Sequence, residues 1–113
     1  MPFIDTKTTA VITKDQEAEL VRRFGRAIEL VPGKMEAFLT LNFTDNCRMY
    51  TAGKVDDIAV CDVSMFGAAP VDALKKLSAA LTETLEEILG LPGCNINIKY
   101  NAHDHWSVGG QHL

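Results

Sequence analysis

The stretch "LVPGKMEAFLTLNF", residues 30–43, contains a helix stop followed directly by a strand. Pro32 and Gly33 predict the stop, because proline cannot continue a helix and glycine readily ends one. The segment "AFLTLNF" that follows alternates between two faces of a predicted strand, Leu39, Leu41 and Phe43 on one and Phe38, Thr40 and Asn42 on the other. A helix followed by a strand is thus the unit from which we build the fold.

The residues before this stop predict an amphipathic helix. Thr13 followed by Gln16 resembles a capping box, which marks a helix start. From there to Pro32, apolar residues recur at helical spacing: Leu20, Val21, Phe24, Ala27, Ile28 and Val31. Residues 2–8 alternate as a strand, so the first half of the chain reads strand, helix, strand.

The second half of the chain repeats this order. Residues 58–67 predict a largely apolar strand, a helix begins near Pro70, and "GLPG" at 90–93 ends that helix before a last strand in "CNINIKY", residues 94–100. The apolar positions of this helix share one face: Val71, Leu74, Leu77, Leu81, Leu85 and Ile88. Between the halves, "CRMYTAGKVDD" is turn-rich, with a short strand near Met49.

The matching halves indicate duplicated β-α-β units, about residues 2–57 and 58–113. Right-handed crossovers would assemble them into an α+β fold, a four-stranded sheet with both helices on one face. The uncovered face then carries short polar side chains: Thr40, Asn42, Asp62, Ser64, Asn95 and Asn97. We interpret it as facing other subunits or a wet channel, with a solvent-exposed face as the alternative.

Size and charge exclude several classes of protein. A chain of 113 residues predicts one domain, residues 1–113. Its net charge of −4 and the absence of a long basic run argue against a nucleic-acid partner. No stretch is apolar enough for a membrane span, and the N-terminus lacks the regions of a signal peptide, so we expect a cytoplasmic protein without a membrane partner.

Three cysteines, Cys47, Cys61 and Cys94, are too few and too widely spaced for a disulfide framework or a paired zinc site. We expect them to be reduced and buried, as free cysteines usually are.

Proline at position 2 has two interpretations. Proline lacks a backbone N–H and is accepted at the first residue of a strand, so Pro2 can simply begin the sheet. If Met1 is removed, however, Pro2 carries a free secondary amine held by that strand. Apolar walls and a nearby cation would lower the pKa of this amine towards neutrality, where a general base works best. The candidate cation is Lys34, and the candidate walls are Phe3, Phe38, Phe66 and Trp106.

A β-α-β-β-α-β chain that begins Met-Pro, carries "PGKMEAFLTL" after its first helix and has "NIN" in its last strand resembles the tautomerase superfamily. Within it, the macrophage migration inhibitory factor and D-dopachrome tautomerase branch matches best, from Pro2 to the C-terminus. The resemblance implies a homotrimeric barrel with sites at subunit boundaries. It also implies keto–enol isomerase activity, without a cofactor, on small aromatic 2-oxo acids such as phenylpyruvate or on dopachrome-like substrates.

The resemblance also assigns roles to individual residues. Pro2 matches the catalytic proline, and Lys34 in "PGKMEAF" matches the lysine that binds the substrate carboxylate. Phe66 falls where the family uses a backbone N–H to hold substrate. Asn97 matches an asparagine that a neighbouring subunit contributes to the site.

The sequence departs from its relatives at three pocket positions. Asn95 replaces a frequent tyrosine and cannot act as a comparable proton donor, Phe38 replaces another tyrosine, and Trp106 stands where a small aliphatic residue is common. We therefore expect an altered or smaller pocket. Of the CxxC motif of the vertebrate cytokine, this chain has only the second cysteine, Cys61, and Ile58 stands in the first position. The loss of the first cysteine argues against thiol-oxidoreductase activity.

Three other readings remain beside the tautomerase one. The protein could be a cytokine-like binding protein with vestigial catalysis, a receptor partner and secretion without a signal peptide, since fold does not settle function. Decarboxylation or dehalogenation by the same proline ranks lower, because none of the arginines lies in the pocket motifs: Arg22, Arg23, Arg26 and Arg48. "HDHW", with His103, His105 and the later His112, suggests a metal, but a structural zinc site usually needs four ligands, so we expect none.

Overall fold

The computed structural model describes residues 1–113. The main sheet is formed by β1 (Pro2–Thr8), β2 (Thr40–Thr44), β5 (Ala59–Phe66) and β6 (Ile96–His103), and the helices are α1 (Lys14–Ile28) and α2 (Val71–Leu89). Two small hairpins complete the chain: β3 (Tyr50–Thr51) with β4 (Lys54–Val55), and β7 (Ser107–Val108) with β8 (Gln111–His112). The predicted short strand near Met49 is thus β3.

The four-stranded sheet has the order β2-β1-β5-β6. In each half of the chain the two strands are parallel, and the central pair, β1 and β5, is antiparallel. Both helices pack on one face of this sheet, which confirms the predicted α+β architecture. The division into pseudo-repeats 2–57 and 58–113 stays a prediction.

The core lies between this face and the helices. Its fully buried side chains come from every layer: Ile4 and Val63 in the sheet, Leu20, Phe24 and Ile28 in α1, and Leu77, Leu81 and Leu85 in α2. The Thr13–Gln16 capping box is present at the start of α1. The predicted burial was wrong for two residues of the apolar faces, Val21 and Val71, which are 44% and 65% exposed. Val21 lies at the flank of α1, and Val71 lies in the first turn of α2.

Two strand boundaries differ from the prediction. Residues 36–38 form a 3₁₀ turn that ends at Phe38, so Phe38 is not on a strand face and is 53% exposed. Gly93–Asn95 is also a 3₁₀ turn, so Asn95 precedes β6 and is not on the open sheet face. Both turns lie shortly after a helix, since α1 ends at Ile28, before the predicted stop at Pro32, and α2 ends at Leu89, before Pro92. The chain needs one tight turn to reach the sheet before ladder pairing begins.

The cysteines are free, but their predicted burial is correct only for Cys61. Cys47 is partly buried in the loop after β2, and Cys94 is exposed in the turn before β6. Loops run over the surface, where a small thiol has no core to enter.

The face of the sheet opposite the helices carries a network of polar side chains. Asp5 accepts hydrogen bonds from Lys7 Nζ (2.7 Å) and Asn42 Nδ2 (2.9 Å), and these hydrogen bonds, that from Lys7 foremost, lower the pKa of Asp5. Asp62, its neighbour across the strands, lies 3.2 Å from Lys99 Nζ. The predicted polar face is therefore present, and no helix covers it. Neither helix is long and apolar enough to cross a membrane.

Candidate active site

Pro2 is the first residue of β1, as predicted from its missing N–H. It is buried and lies opposite Met65 of β5. In the chain that still carries Met1, the Pro2 nitrogen is an amide nitrogen without basicity. Removal of Met1 would turn it into a secondary amine at a fixed position, because the residue is buried and is held in the ladder opposite Met65.

The peptide groups of Phe66 connect this strand start with Lys34. The Phe66 N–H donates to the Met1 carbonyl oxygen (N···O 3.2 Å), and the Phe66 carbonyl oxygen accepts from Lys34 Nζ at 2.8 Å. The next N–H, of Gly67, donates to the His103 carbonyl oxygen at 2.9 Å. One short segment at the end of β5 therefore fixes Lys34 beside the start of β1.

The electrostatics of this corner favour a neutral amine. Burial, and then the positive charge of Lys34, lower the pKa of the Met1 amine below its ordinary value. Both causes disfavour a protonated amine at this end of the sheet. A Pro2 amine would lie one residue further into the same surroundings.

The predicted pocket walls are only partly assembled by one chain. Phe66 and His103 lie side by side at the ends of β5 and β6, and Trp106 packs edge-on against the His103 ring, with centroids 5.9 Å apart. Phe38 is exposed in its 3₁₀ turn. His103 was not predicted for this region, and only the register of β6 against β5 could have indicated it.

Asn97 lies far from Pro2 within the same chain. Asn97 and Lys7 both pair with Val60, so Asn97 is level with Lys7, at the opposite end of β1 from Pro2. Five residues of strand separate these levels by about 16 Å. Asn95 lies still further back, before β6 begins. Neither asparagine can join the Pro2 site of its own chain, so a role for either one there would require a neighbouring copy.

The single chain does not enclose a pocket at Pro2. None of its three concave regions includes Pro2 or Lys34. The largest, a groove of about 430 Å³, lies between the helices and is lined in part by Arg22, Arg23 and Arg26. A closed substrate site at Pro2 therefore requires surface from outside this chain.

Iodoacetamide should label Cys61 only after the protein is unfolded. The side chain is fully buried beside Thr6 Oγ1, and burial raises the pKa of its thiol to about 11. The reactive thiolate is therefore scarce at neutral pH. Mass spectrometry of labelled peptides, with and without denaturant, measures this, with Cys94 as the exposed reference. Fast labelling of Cys61 in the native protein would show that the thiol is accessible.

Solved structures share this fold over nearly the whole chain. MIF2 from Leishmania major superposes with a TM-score of 0.92 at 21% identity, covering 100% of this chain and 97% of the other. Pt0534, solved after inactivation by 2-oxo-3-pentynoate, gives 0.84 at 15% identity, covering 96% and 92%. A fused 4-OT protein that forms a symmetric trimer gives 0.80 at 16%, covering 89% and 85%. No curated protein matches by sequence.

The two-layer fold, with both helices on one face of a mixed four-stranded sheet, is the class of fold that these solved structures share. Within that class, the family described as macrophage migration inhibitory factor (MIF) matches residues 1–112, and the chain belongs to this family. Membership supports a tautomerase-like or MIF-like function.

Proposed function

We propose that the protein, after removal of Met1, is a keto–enol tautomerase for phenylpyruvate-like or dopachrome-like aromatic substrates, with Pro2 as the base. The observation that carries the proposal is the convergence of Lys34 and the Phe66 peptide on the first residues of β1. Family membership supports it. Inactivation of the structurally similar Pt0534 by a 2-oxo acid supports this substrate class.

In this mechanism Pro2 moves one proton. Its neutral nitrogen takes the proton from the carbon next to the substrate carbonyl, the carbonyl oxygen gains a proton from solvent, and the enol forms; ketonisation is the reverse. Lys34 would hold the substrate carboxylate by a charge-assisted hydrogen bond. Met1 removal would also leave the Phe66 N–H without its present acceptor, next to the new amine and free to bind substrate.

The proposed enzyme is a homotrimer, and three features of the chain support this. The sheet has a polar face that no helix covers, and β2 and β6 each leave an edge unpaired. The β3–β4 hairpin exposes Tyr50 and Val55, at 62% and 74%. Neighbouring copies could cover these surfaces and bring Asn97, with Asn95 close by, to the Pro2 site.

Sedimentation equilibrium at micromolar concentration should therefore give about three times the chain mass of 12.4 kDa. As a control, charged substitutions at Tyr50 and Val55 together should lower that mass, because burying them would then cost desolvation. A stable monomer of the unmodified chain would overturn the trimer and remove Asn97 from the site.

The second candidate is a MIF-like binding protein with weak catalysis and a receptor partner. The replacement of the usual tyrosines by Asn95 and Phe38 favours it, because neither residue supplies an acidic hydroxyl. Phenylpyruvate ketonisation, measured on protein whose intact mass shows that Met1 is absent, tests both. Turnover that Pro2→Gly abolishes supports the enzyme, whereas absent turnover supports the binding protein. The tautomerase proposal includes a cytoplasmic location of the protein.

A further inference from the structure

The C-terminal hairpin brings two histidines into direct contact. β7 and β8 pair with Ser107 opposite His112, across a turn at Gly109 and Gly110 whose positive φ values of 58° and 82° suit glycine. The Leu113 N–H donates to the Trp106 carbonyl oxygen at 2.8 Å and closes the open end of the hairpin. As a result, His105 Nδ1 lies 3.0 Å from His112 Nε2.

This contact differs from the one that the sequence suggested. Simple alternation would place His103 and His105 on one strand face, but β6 ends at His103. His103 packs against Trp106, whereas His105 turns to the hairpin, with its ring centroid 5.2 Å from that of His112. The structure therefore pairs residues that are seven positions apart.

The spacing of the two nitrogens suits a metal ion. Imidazole nitrogens bind Zn²⁺ at about 2.0–2.1 Å, and at angles of roughly 90–110° two such nitrogens lie about 2.9–3.4 Å apart. The 3.0 Å separation falls within this range, so an ion could replace the hydrogen bond between the rings once both rings turn towards it. We propose that His105 and His112 form a binding site for a divalent transition-metal ion of the imidazole-preferring class, Zn²⁺, Cu²⁺ or Ni²⁺.

The surroundings favour a cation with an open coordination sphere. Both rings are exposed, so water can fill the positions that the two nitrogens leave free. Asp104, next to His105 in the chain, and the net charge of −4 attract a cation. The site differs from a structural zinc site, which encloses its ion with four protein ligands. It does not depend on the Pro2 chemistry.

Metal binding would fasten the two ends of the hairpin together. The ion would link His105, next to Trp106, with His112, next to Leu113, across the existing Leu113–Trp106 hydrogen bond. Trp106 is the only tryptophan of the chain and is the neighbour of His105, so its fluorescence can report on ion binding at this site. Bound Cu²⁺ or Ni²⁺ should quench that fluorescence, and Zn²⁺ should raise the melting temperature by binding only the folded chain.

The test is titration of the full-length chain with Zn²⁺ by calorimetry and with Ni²⁺ by Trp106 fluorescence. We expect one ion per chain and a loss of affinity of about tenfold or more in His105→Ala and in His112→Ala, because each variant removes one of the two ligands. His103→Ala, which removes a histidine outside the pair, should bind as the unmodified chain does.

A second variant separates metal binding from the hydrogen bond. His112→Gln can still hydrogen-bond to His105 and keep the hairpin, but an amide is a poor ligand for these ions. It should therefore lose Zn²⁺ affinity while its melting temperature without metal stays unchanged. Equal Zn²⁺ affinity of His112→Gln and the unmodified chain, equal losses in His103→Ala and His112→Ala, or no saturable binding below millimolar Zn²⁺ would each overturn the proposal.

Discussion

Replacing Pro2 with glycine should lower kcat/KM for phenylpyruvate ketonisation by about 10²–10⁴-fold, the range expected when a general base is lost. Glycine keeps an N-terminal amine after Met1 removal but loses the ring that fixes the nitrogen at the start of β1. Pro2 is the first strand residue and donates no ladder hydrogen bond, so the oligomer should persist, whereas loss of the buried ring should lower the melting temperature somewhat. Steady-state kinetics, sedimentation and thermal unfolding of both proteins measure the three quantities.

The pH dependence of kcat/KM in the processed enzyme tests Pro2 as the general base. In the enolisation direction Pro2 takes a proton and must be unprotonated, so kcat/KM for enolisation should rise with pH through the pKa of the Pro2 amine. Ketonisation is the reverse, in which protonated Pro2 donates the proton, so its kcat/KM should fall through the same pKa. Burial, and then Lys34, lower the pKa of the amine at this corner, so the change should lie at a lower pH than for a free secondary amine. Lys34→Ala should shift this change to higher pH, because it removes the cation.

Retention of Met1 is the matched control. In that form the Pro2 nitrogen is an amide, so a reagent for N-terminal amines should modify Met1 and leave no adduct on Pro2. Full turnover by protein whose intact mass still includes Met1 would rule out Pro2 as the base.

Lys34→Ala should raise KM for aromatic 2-oxo acids by about tenfold or more, because a charge-assisted hydrogen bond to the substrate carboxylate is lost. The structure adds a second effect of this change. Lys34 Nζ also binds the Phe66 carbonyl oxygen, so its removal loosens the peptide whose N–H lies beside Pro2. Some loss of kcat should therefore accompany the rise in KM.

Two further variants separate charge from position at this site. Lys34→Arg keeps the positive charge and should recover part of the affinity, although its planar group fits the Phe66 carbonyl differently. Lys75→Ala removes an exposed lysine of α2, on the helix-covered side of the sheet, and should leave the kinetics unchanged. If KM is the same in Lys34→Ala and Lys75→Ala, Lys34 is a solvated lysine without a role in binding.

The sequence alone determined the local elements of this protein. The capping box at Thr13 and the position of Pro2 at a strand start follow from backbone geometry within a few residues. Pro32 and Pro92 mark the helix ends only to within a few residues, since α1 ends at Ile28 and α2 at Leu89. The spacing of apolar residues predicted the two helices and the polar face of the sheet for the same reason. A periodic pattern of apolar residues predicts which side of a helix or strand is buried, and this pattern can be read from the local sequence alone.

Only the tertiary structure decided which residues meet. The Phe66 peptide reaches both Met1 and Lys34, Asn97 lies at the far end of the sheet from Pro2, and His105 contacts His112 instead of His103. These relations depend on strand register and on where each strand ends, because one residue of slip moves every side chain to the other face. Register is fixed by packing between distant segments, so no short stretch of sequence contains it.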